Sequence, residues 1–424
     1  MSPADEPLWI AGNGRPGPSV DRTLKRMPLW HVLIPLALLL GTGGTVASVV
    51  RTAPTQPGLE LPGQELPGLE LPRDAAILRY PRLVPVSLSA DATPLLVSNS
   101  PETPTSPGLL YRDRVQGAAR VTAYHVNGLE QPARLLIVAE AADTTAPNLT
   151  VHLTLLRRGS AVTSGPDPLI GQQTLLRYFT SGLESARGPG AAIVPPATGS
   201  PGGLTRTLPS GQRLTLYDSG LLSPGQVVSV LLDLSTDASL TVSTYMLTAG
   251  ESPGPDVPIL APDGLHQRGT FTGANRDWKV GVLPDPHTIS GPSPGPWRLM
   301  FSDATDLPVT GTDALTGHPQ TLEGNFGVLY SVSLQGGAGF LMAASARGGP
   351  YRGSLFMQDT TSSGQVRRGP LLIGRGRALL DAAQPAAVWQ ISSDATHFEF
   401  VPANGSNLPL ALVFYPDGIR RPLR

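Results

Sequence analysis

From Asn148 to Arg157 the chain reads NLTVHLTLLR, and that alternation dictates a strand. Leu149, Val151, Leu153 and Leu155 fall on one face, and Thr150, His152 and Thr154 on the other. The same period of two returns in Arg213–Tyr217, Val228–Leu234 and Leu240–Met246. It closes the chain in Asn407–Tyr415, where Leu408, Leu410, Leu412 and Phe414 alternate with small or apolar residues. Turn clusters such as Ser223-Pro-Gly-Gln226 and Asp417-Gly418 lie between such runs, and Asp233 and Asp237 bracket an expected hairpin turn at Ser235-Thr236. With 48 glycines and 45 prolines in 424 residues, few stretches are free of helix breakers. One short helix is predicted over residues 168–181, PLIGQQTLLRYFTS. Many short strands joined by Gly/Pro turns predict antiparallel sandwiches.

The N-terminal part has another character. Residues 30–50, WHVLIPLALLLGTGGTVASVV, carry no formal charge over 21 positions. A bilayer core needs about 20 apolar residues, so the run is long enough to span. Arg15, Arg22, Lys25 and Arg26 precede it and only Arg51 follows closely, which places the N-terminus inside and the bulk of the chain outside. Thr45-Val46-Ala47 also has the small residues of a signal-peptide cleavage site, so secretion after cleavage is the alternative. Residues 1–29 then form a disordered cytoplasmic tail. Its formal G-x-G-x-x-G (Gly12, Gly14, Gly17) has no preceding strand, and Pro16 and Pro18 would break the helix that a dinucleotide site requires. Residues 51–73 contain PGLEL-PGQEL-PGLEL-P, a five-residue repeat with Glu60, Glu65 and Glu70 in register, and predict an extended stalk.

The remaining length of about 350 residues suits two domains of ordinary size. Gly108-Leu-Leu-Tyr111 and Gly327-Val-Leu-Tyr330 hint at a duplication, and Glu251-Ser-Pro-Gly-Pro-Asp-Val-Pro reads as a linker. The expected organisation is therefore mainly β: a single N-terminal transmembrane helix, a Pro-rich stalk, and two antiparallel β-sandwich domains over residues 74–255 and 256–424.

Several segments carry a family resemblance. SNSPETPTSPGLLYRDRVQGAARVTAYHVNG (98–128), RRGSAVTSGPDPLIGQQTLLRYF (157–179), HQRGTFTGANR (266–276), PVTGTDALTG (308–317), NFGVLYSVSL (325–334) and GSNLPLALVFYP (405–416) resemble blocks of an uncharacterised family of secreted bacterial envelope proteins. In that family the module often follows a copper amine oxidase-like N-terminal domain, a name for a small accessory fold that implies neither copper nor oxidation. This chain has the stalk instead. The resemblance implies an envelope location and brings no catalytic residues.

Charge and motifs narrow the chemistry. Lys plus Arg is 31 against 32 for Asp plus Glu, a net charge of -1 that lacks the basic excess of a nucleic-acid binder. With no cysteine there is no disulfide, thiolate site or cysteine nucleophile. The seven histidines (31, 125, 152, 266, 287, 318 and 397) form no H-x-H or H-E-x-x-H, and no cofactor or metal is expected. Asp303, Asp306 and Asp313 could offer oxygens to calcium, but their spacing is not that of an EF-hand loop. No G-x-S-x-G elbow occurs, and no S-x-x-K involves either lysine, Lys25 or Lys279. Leu307-Pro-Val-Thr-Gly311 matches a sortase signal by letter yet lies far from the C-terminus, and reads as a turn.

Two groups of residues are candidates for binding. Arg367, Arg368, Arg375 and Arg377 suit an anionic polymer, and Trp278, Trp297 and Tyr351 suit sugar stacking. The reading that emerges is a membrane-anchored extracytoplasmic structural or interaction protein of a bacterial cell envelope, without catalysis. Its alternatives are a binding module for envelope polysaccharide or anionic polymer and, behind that, a hydrolase whose site assembles in space. Expected partners are the membrane and an envelope polymer or protein.

Overall fold

The computed structural model describes residues 77–141, 150–184, 204–283, 296–360, 366–376, 387–391 and 395–416. The expected tail, span and stalk over residues 1–73 lie outside them. Among the described residues no helix is long and apolar enough to cross a membrane.

The described residues are mainly β, with twenty strands and one α-helix. After a single helical turn at Ile77–Arg79 come β1 (Pro85–Ala90), β2 (Pro94–Ser98), β3 (Gly108–Val126), β4 (Ala133–Ala141) and β5 (Thr150–Thr163). Then follow α1 (Leu169–Glu184), β6 (Leu204–Pro209), β7 (Arg213–Asp218), β8 (Val227–Thr248), β9 (Arg268–Thr272) and β10 (Asn275–Val282). The chain continues through β11 (Trp297–Phe301), β12 (Val309–Thr312), β13 (Pro319–Leu322), β14 (Leu329–Gln335) and β15 (Phe340–Ala346). It ends with β16 (Tyr351–Thr360), β17 (Val366–Gly376), β18 (Ala387–Gln390), β19 (Ala395–Phe400) and β20 (Leu410–Pro416).

A large sheet runs β13-β12-β9-β2-β3-β8-β4-β7, with β5 and β6 branching from β8. The long strands β3 and β8 pair along nearly their whole length. Val228–Leu234 and Leu240–Met246 are therefore halves of one strand, and the hairpin turn expected at Ser235-Thr236 does not form. Those residues pair instead with Ala118 and Gly117, beside a bulge in which Asp237, Ala238 and Ser239 of β8 face Gln116 alone. The even-numbered apolar residues of β8 from Val228 to Leu234, with Leu240, Val242 and Met246, join Leu135, Ile137, Val151 and Leu153 in one core. The period-two signal thus marked the buried face correctly, while the turn was overruled by a continuous partner strand.

A second core lies between a six-stranded sheet, β1-β10-β14-β19-β16-β17, and a four-stranded sheet, β11-β20-β15-β18. Phe301, Phe340, Met342, Leu412 and Phe414 from the smaller sheet meet Tyr330, Val332, Phe398 and Phe400 from the larger. This is the sandwich packing that the sequence pattern predicts. The sheets are not purely antiparallel, because β10 pairs with β14 and β2 with β3 in parallel.

Nor does residue 255/256 separate the sheets: β1 joins β10, and β9 joins β2. The two halves of the suspected duplication sit differently as well. Gly108–Tyr111 opens a strand paired antiparallel with β8, whereas Leu329-Tyr330 starts a strand paired parallel with β10.

The predicted helix is present as α1, which crosses β5 and contacts β16. Its close approach requires Gly159, where a Cβ would lie 2.0 Å from the Thr174 carbonyl oxygen. Beneath α1 the two cores are tied by a polar network. Asp233 accepts from Arg120 Nε at 2.7 Å, from Arg120 Nη2 at 3.0 Å and from Tyr178 Oη at 2.6 Å. Arg120 Nη1 donates to the Ala274 carbonyl at 2.7 Å, and Arg157 pairs with Glu399 at 2.8 Å. Burial alone would raise the Asp233 carboxyl pKa, but the adjacent Arg120 outweighs it and holds the value below the ordinary one.

Candidate functional site

At the edge of the six-stranded sheet, β1 pairs among the described residues on one side only, with β10. Its sequence PVSLSA has no charge, and every position after Pro85 is exposed. Val84, Val86 and Leu88 are 64%, 76% and 64% exposed, values that belong to polar residues in an ordinary edge strand. Among the described residues, Pro85 and a bulge between Pro85 and Ser87 guard this edge.

The register places Leu88 opposite Trp278 and Ala90 opposite Arg276. Together with Val84 and the Leu307 loop they enclose an apolar groove of about 570 Å³, within the size range of ligand sites. Leu307 is itself 71% exposed.

The charged groups at the groove are already paired. Arg276 bonds Asp306 and donates to the Leu307 carbonyl at 2.7 Å, and its guanidinium lies 5.6 Å from the Tyr330 ring centre. Asp306 also accepts from Tyr330 Oη and from the Ser302 amide, each at 2.7 Å. Burial raises its pKa, with Tyr330, Ser302 and Arg276 opposing. Arg82 grips Asp303 in bidentate fashion at 2.6 and 3.1 Å. The groove therefore offers an electrically neutral surface, suited to an apolar ligand.

The residues singled out from the sequence fall elsewhere or serve other ends. Trp278 is only 5% exposed, with its ring stacked on Phe301 (5.3 Å, 4°), so it supplies groove floor and leaves too little surface for a sugar ring. Tyr351 is fully buried, which removes it as a stacking platform. Trp297 is half-buried against the sandwich core. Arg367 and Arg368 lie on edge strand β17 opposite Asp359 and Gln358, and Arg375 lies further along the same strand. Arg377 is outside the described residues.

The aspartates considered for calcium are each held by a separate arginine: Asp303 by Arg82, Asp306 by Arg276, and Asp313 by Arg268. No cluster of metal ligands occurs among the described residues. Gly311, last in the sortase-like run, belongs to β12 and packs so closely on β9 that a Cβ would sit 2.1 Å from the Thr270 oxygen.

A serine–histidine pair does assemble in space. Ser98 Oγ lies 2.9 Å from His125 Nε2, and His125 Nδ1 lies 3.0 Å from the Pro101 carbonyl oxygen. A carbonyl can only accept, so Nδ1 carries the proton and Nε2 accepts from Ser98. Burial lowers the His125 pKa to about 4, against opposing hydrogen bonds to the backbone. Ser98 is 1% and His125 0% exposed, and the adjoining space of about 20 Å³ holds roughly one water. The pair ties β2, β3 and the following loop together rather than facing a substrate. Nearby, His266 spans Glu102 at 3.0 Å and Asp263 at 2.8 Å on the surface.

No family model matches the chain, and no curated protein does. Among solved structures, PBSX exported protein XepA shares 10% identity at a TM-score of 0.13, covering 73% of this chain and 86% of that one. The Lactobacillus farciminis oxalate decarboxylase formate complex shares 9% at 0.14, covering 76% and 79%. The CBM22-1-CBM22-2 tandem domain of Paenibacillus barcinonensis Xyn10C shares 11% at 0.13, covering 78% and 92%. Likenesses this distant carry no argument for fold or function.

Proposed function

We propose that this chain is a membrane-anchored extracytoplasmic interaction protein of a bacterial cell envelope, acting without catalysis, and that the groove beside β1 is its contact surface. The observation that carries the reading is the coincidence of an uncharged edge strand, three exposed aliphatic side chains on or beside it, and an apolar groove. Edge strands of soluble proteins are normally charged or covered, and an uncovered one is a template for another chain. The anchor rests on residues 30–50, whose 21 positions carry no charge.

The test is the full chain carrying Val86→Lys and Leu88→Lys, cross-linked in its native envelope beside the unsubstituted chain. Both side chains are exposed, so thermal stability should not change, whereas the cross-linked partner should disappear. Recovery of the same partner in equal yield would remove the groove as the contact surface. Protease shaving of intact cells checks the topology, since protection of residues 74–424 would sink the exterior assignment.

A further inference from the structure

Resting on that reading of the groove, we infer that its resident occupant is the chain's own leucine repeat, residues 57–72, folded back onto β1. The occupant must be apolar, because Arg82 and Arg276 are already neutralised by Asp303 and Asp306. It must also be extended, because the groove runs beside an edge strand and is lined along it by Val84, Leu88 and Ala90.

Residues 57–72 meet both demands. Each L-E-L triplet (Leu59-Glu60-Leu61 and Leu69-Glu70-Leu71) puts two leucines on one face when extended and turns its glutamate away. The prolines at 57, 62, 67 and 72 fix φ at their own positions and bias the residue before each away from helix, which lowers the entropy lost on docking an extended segment. They also limit pairing with β1 to the four-residue stretches between them, G-L-E-L twice and G-Q-E-L once, since proline has no amide hydrogen to donate.

Reach is sufficient. Arg82, at the groove, is five residues beyond Ile77, at most about 18 Å of chain. The 16-residue repeat spans about 50 Å when extended. Tethering at this range gives an effective concentration on the order of millimolar, which a freely diffusing second copy cannot match. The docked repeat would shield the groove and shorten the stalk, so an envelope partner would bind by displacing it. The stalk is then a competitor for the contact surface as well as a spacer.

The absence of native cysteine makes the test clean, because any disulfide must join introduced residues. In the full chain, Ser89→Cys on β1 is combined in turn with Glu60→Cys, Glu65→Cys and Glu70→Cys, and Ser252→Cys, exposed and outside the groove, replaces Ser89→Cys as the control. Mild oxidation should close an intrachain disulfide to position 89 at least about 10-fold faster than to position 252. Adding Leu61→Asp and Leu71→Asp should abolish that difference.

Equal rates at the two positions, or no disulfide, would overturn the inference. So would a disulfide-linked dimer, which would assign the groove to a second copy. If the disulfide fails while Val86→Lys and Leu88→Lys still remove the envelope partner, only the occupant was wrong. If both fail, the groove reading falls with it.

Discussion

Replacing Asp233 by Asn tests whether the two cores are held together by charge. Arg120 has only 3% of its side chain exposed, and among the described residues Asp233 alone supplies its counter-charge, through two hydrogen bonds of 2.7 and 3.0 Å. Asparagine is nearly isosteric but neutral, and one of its two acceptor positions becomes a donor facing guanidinium donors. The Ala274 and Gly327 carbonyls remain near Arg120, yet they are dipoles and leave a buried charge uncompensated. Breaking a buried pair from one side costs about 3–5 kcal/mol. The assay is urea unfolding of the full chain followed by tryptophan fluorescence.

A triple variant, Arg120→Met, Tyr178→Phe and Asp233→Leu, removes the three side chains that bond around Asp233, including the Tyr178 hydroxyl that would otherwise be orphaned. It should recover to within about 2 kcal/mol of the unsubstituted chain, since a buried ion pair gains little over apolar packing. The pH dependence has a definite sign. The Asp233 pKa is lowered in the fold, so its contribution is present above its unfolded value and is lost as pH falls through the lower folded one. The gap between the native chain and Asp233→Asn should therefore narrow below about pH 4. A gap under about 1 kcal/mol at pH 7 would refute the argument.

The remaining expectations concern other buried groups. His125 is lowered to about 4 from 6.5, so the unfolded chain takes up a proton that the fold refuses; stability should fall by about 3 kcal/mol between pH 6.5 and 4, and His125→Gln should flatten that slope in urea titrations. Gly159→Ala should cost about 3 kcal/mol or more, because a Cβ would meet the backbone of α1 at 2.0 Å; a thermal melt reads the loss. Arg268 and Asp313 are each 2% exposed at 3.0 Å, so Arg268→Met should cost about 3 kcal/mol; Asp313 keeps bonds from the Leu315 amide and the Thr316 hydroxyl, which places the effect at the lower end for a broken buried pair.

What could be read from the sequence follows from the range of the forces involved. Alternation is a local consequence of strand geometry, so the buried faces of β5 and β8 are legible in the spacing of Val151, Leu153 and Val228, and the helix α1 in the run PLIGQQTLLRYFTS. Where a strand ends depends on its neighbour: Ser235-Thr236 looks like a turn, but continues as strand because β3 pairs alongside it. The domain division depended on neighbours too, since nothing in PVSLSA announces that its partner is Asn275–Val282, nearly 190 positions later. The same limit hid the groove. By residue type Trp278 suits sugar stacking, yet Phe301 takes its ring face; Asp306 could offer oxygens to calcium, yet Arg276 claims its charge. One local signal was available and had physical content. Val84–Ala90 is a strand-forming run without a charge, and a strand left at a sheet edge without charge must either be covered or meet a partner. That necessity, more than any motif, is what supports the interaction surface proposed for this chain.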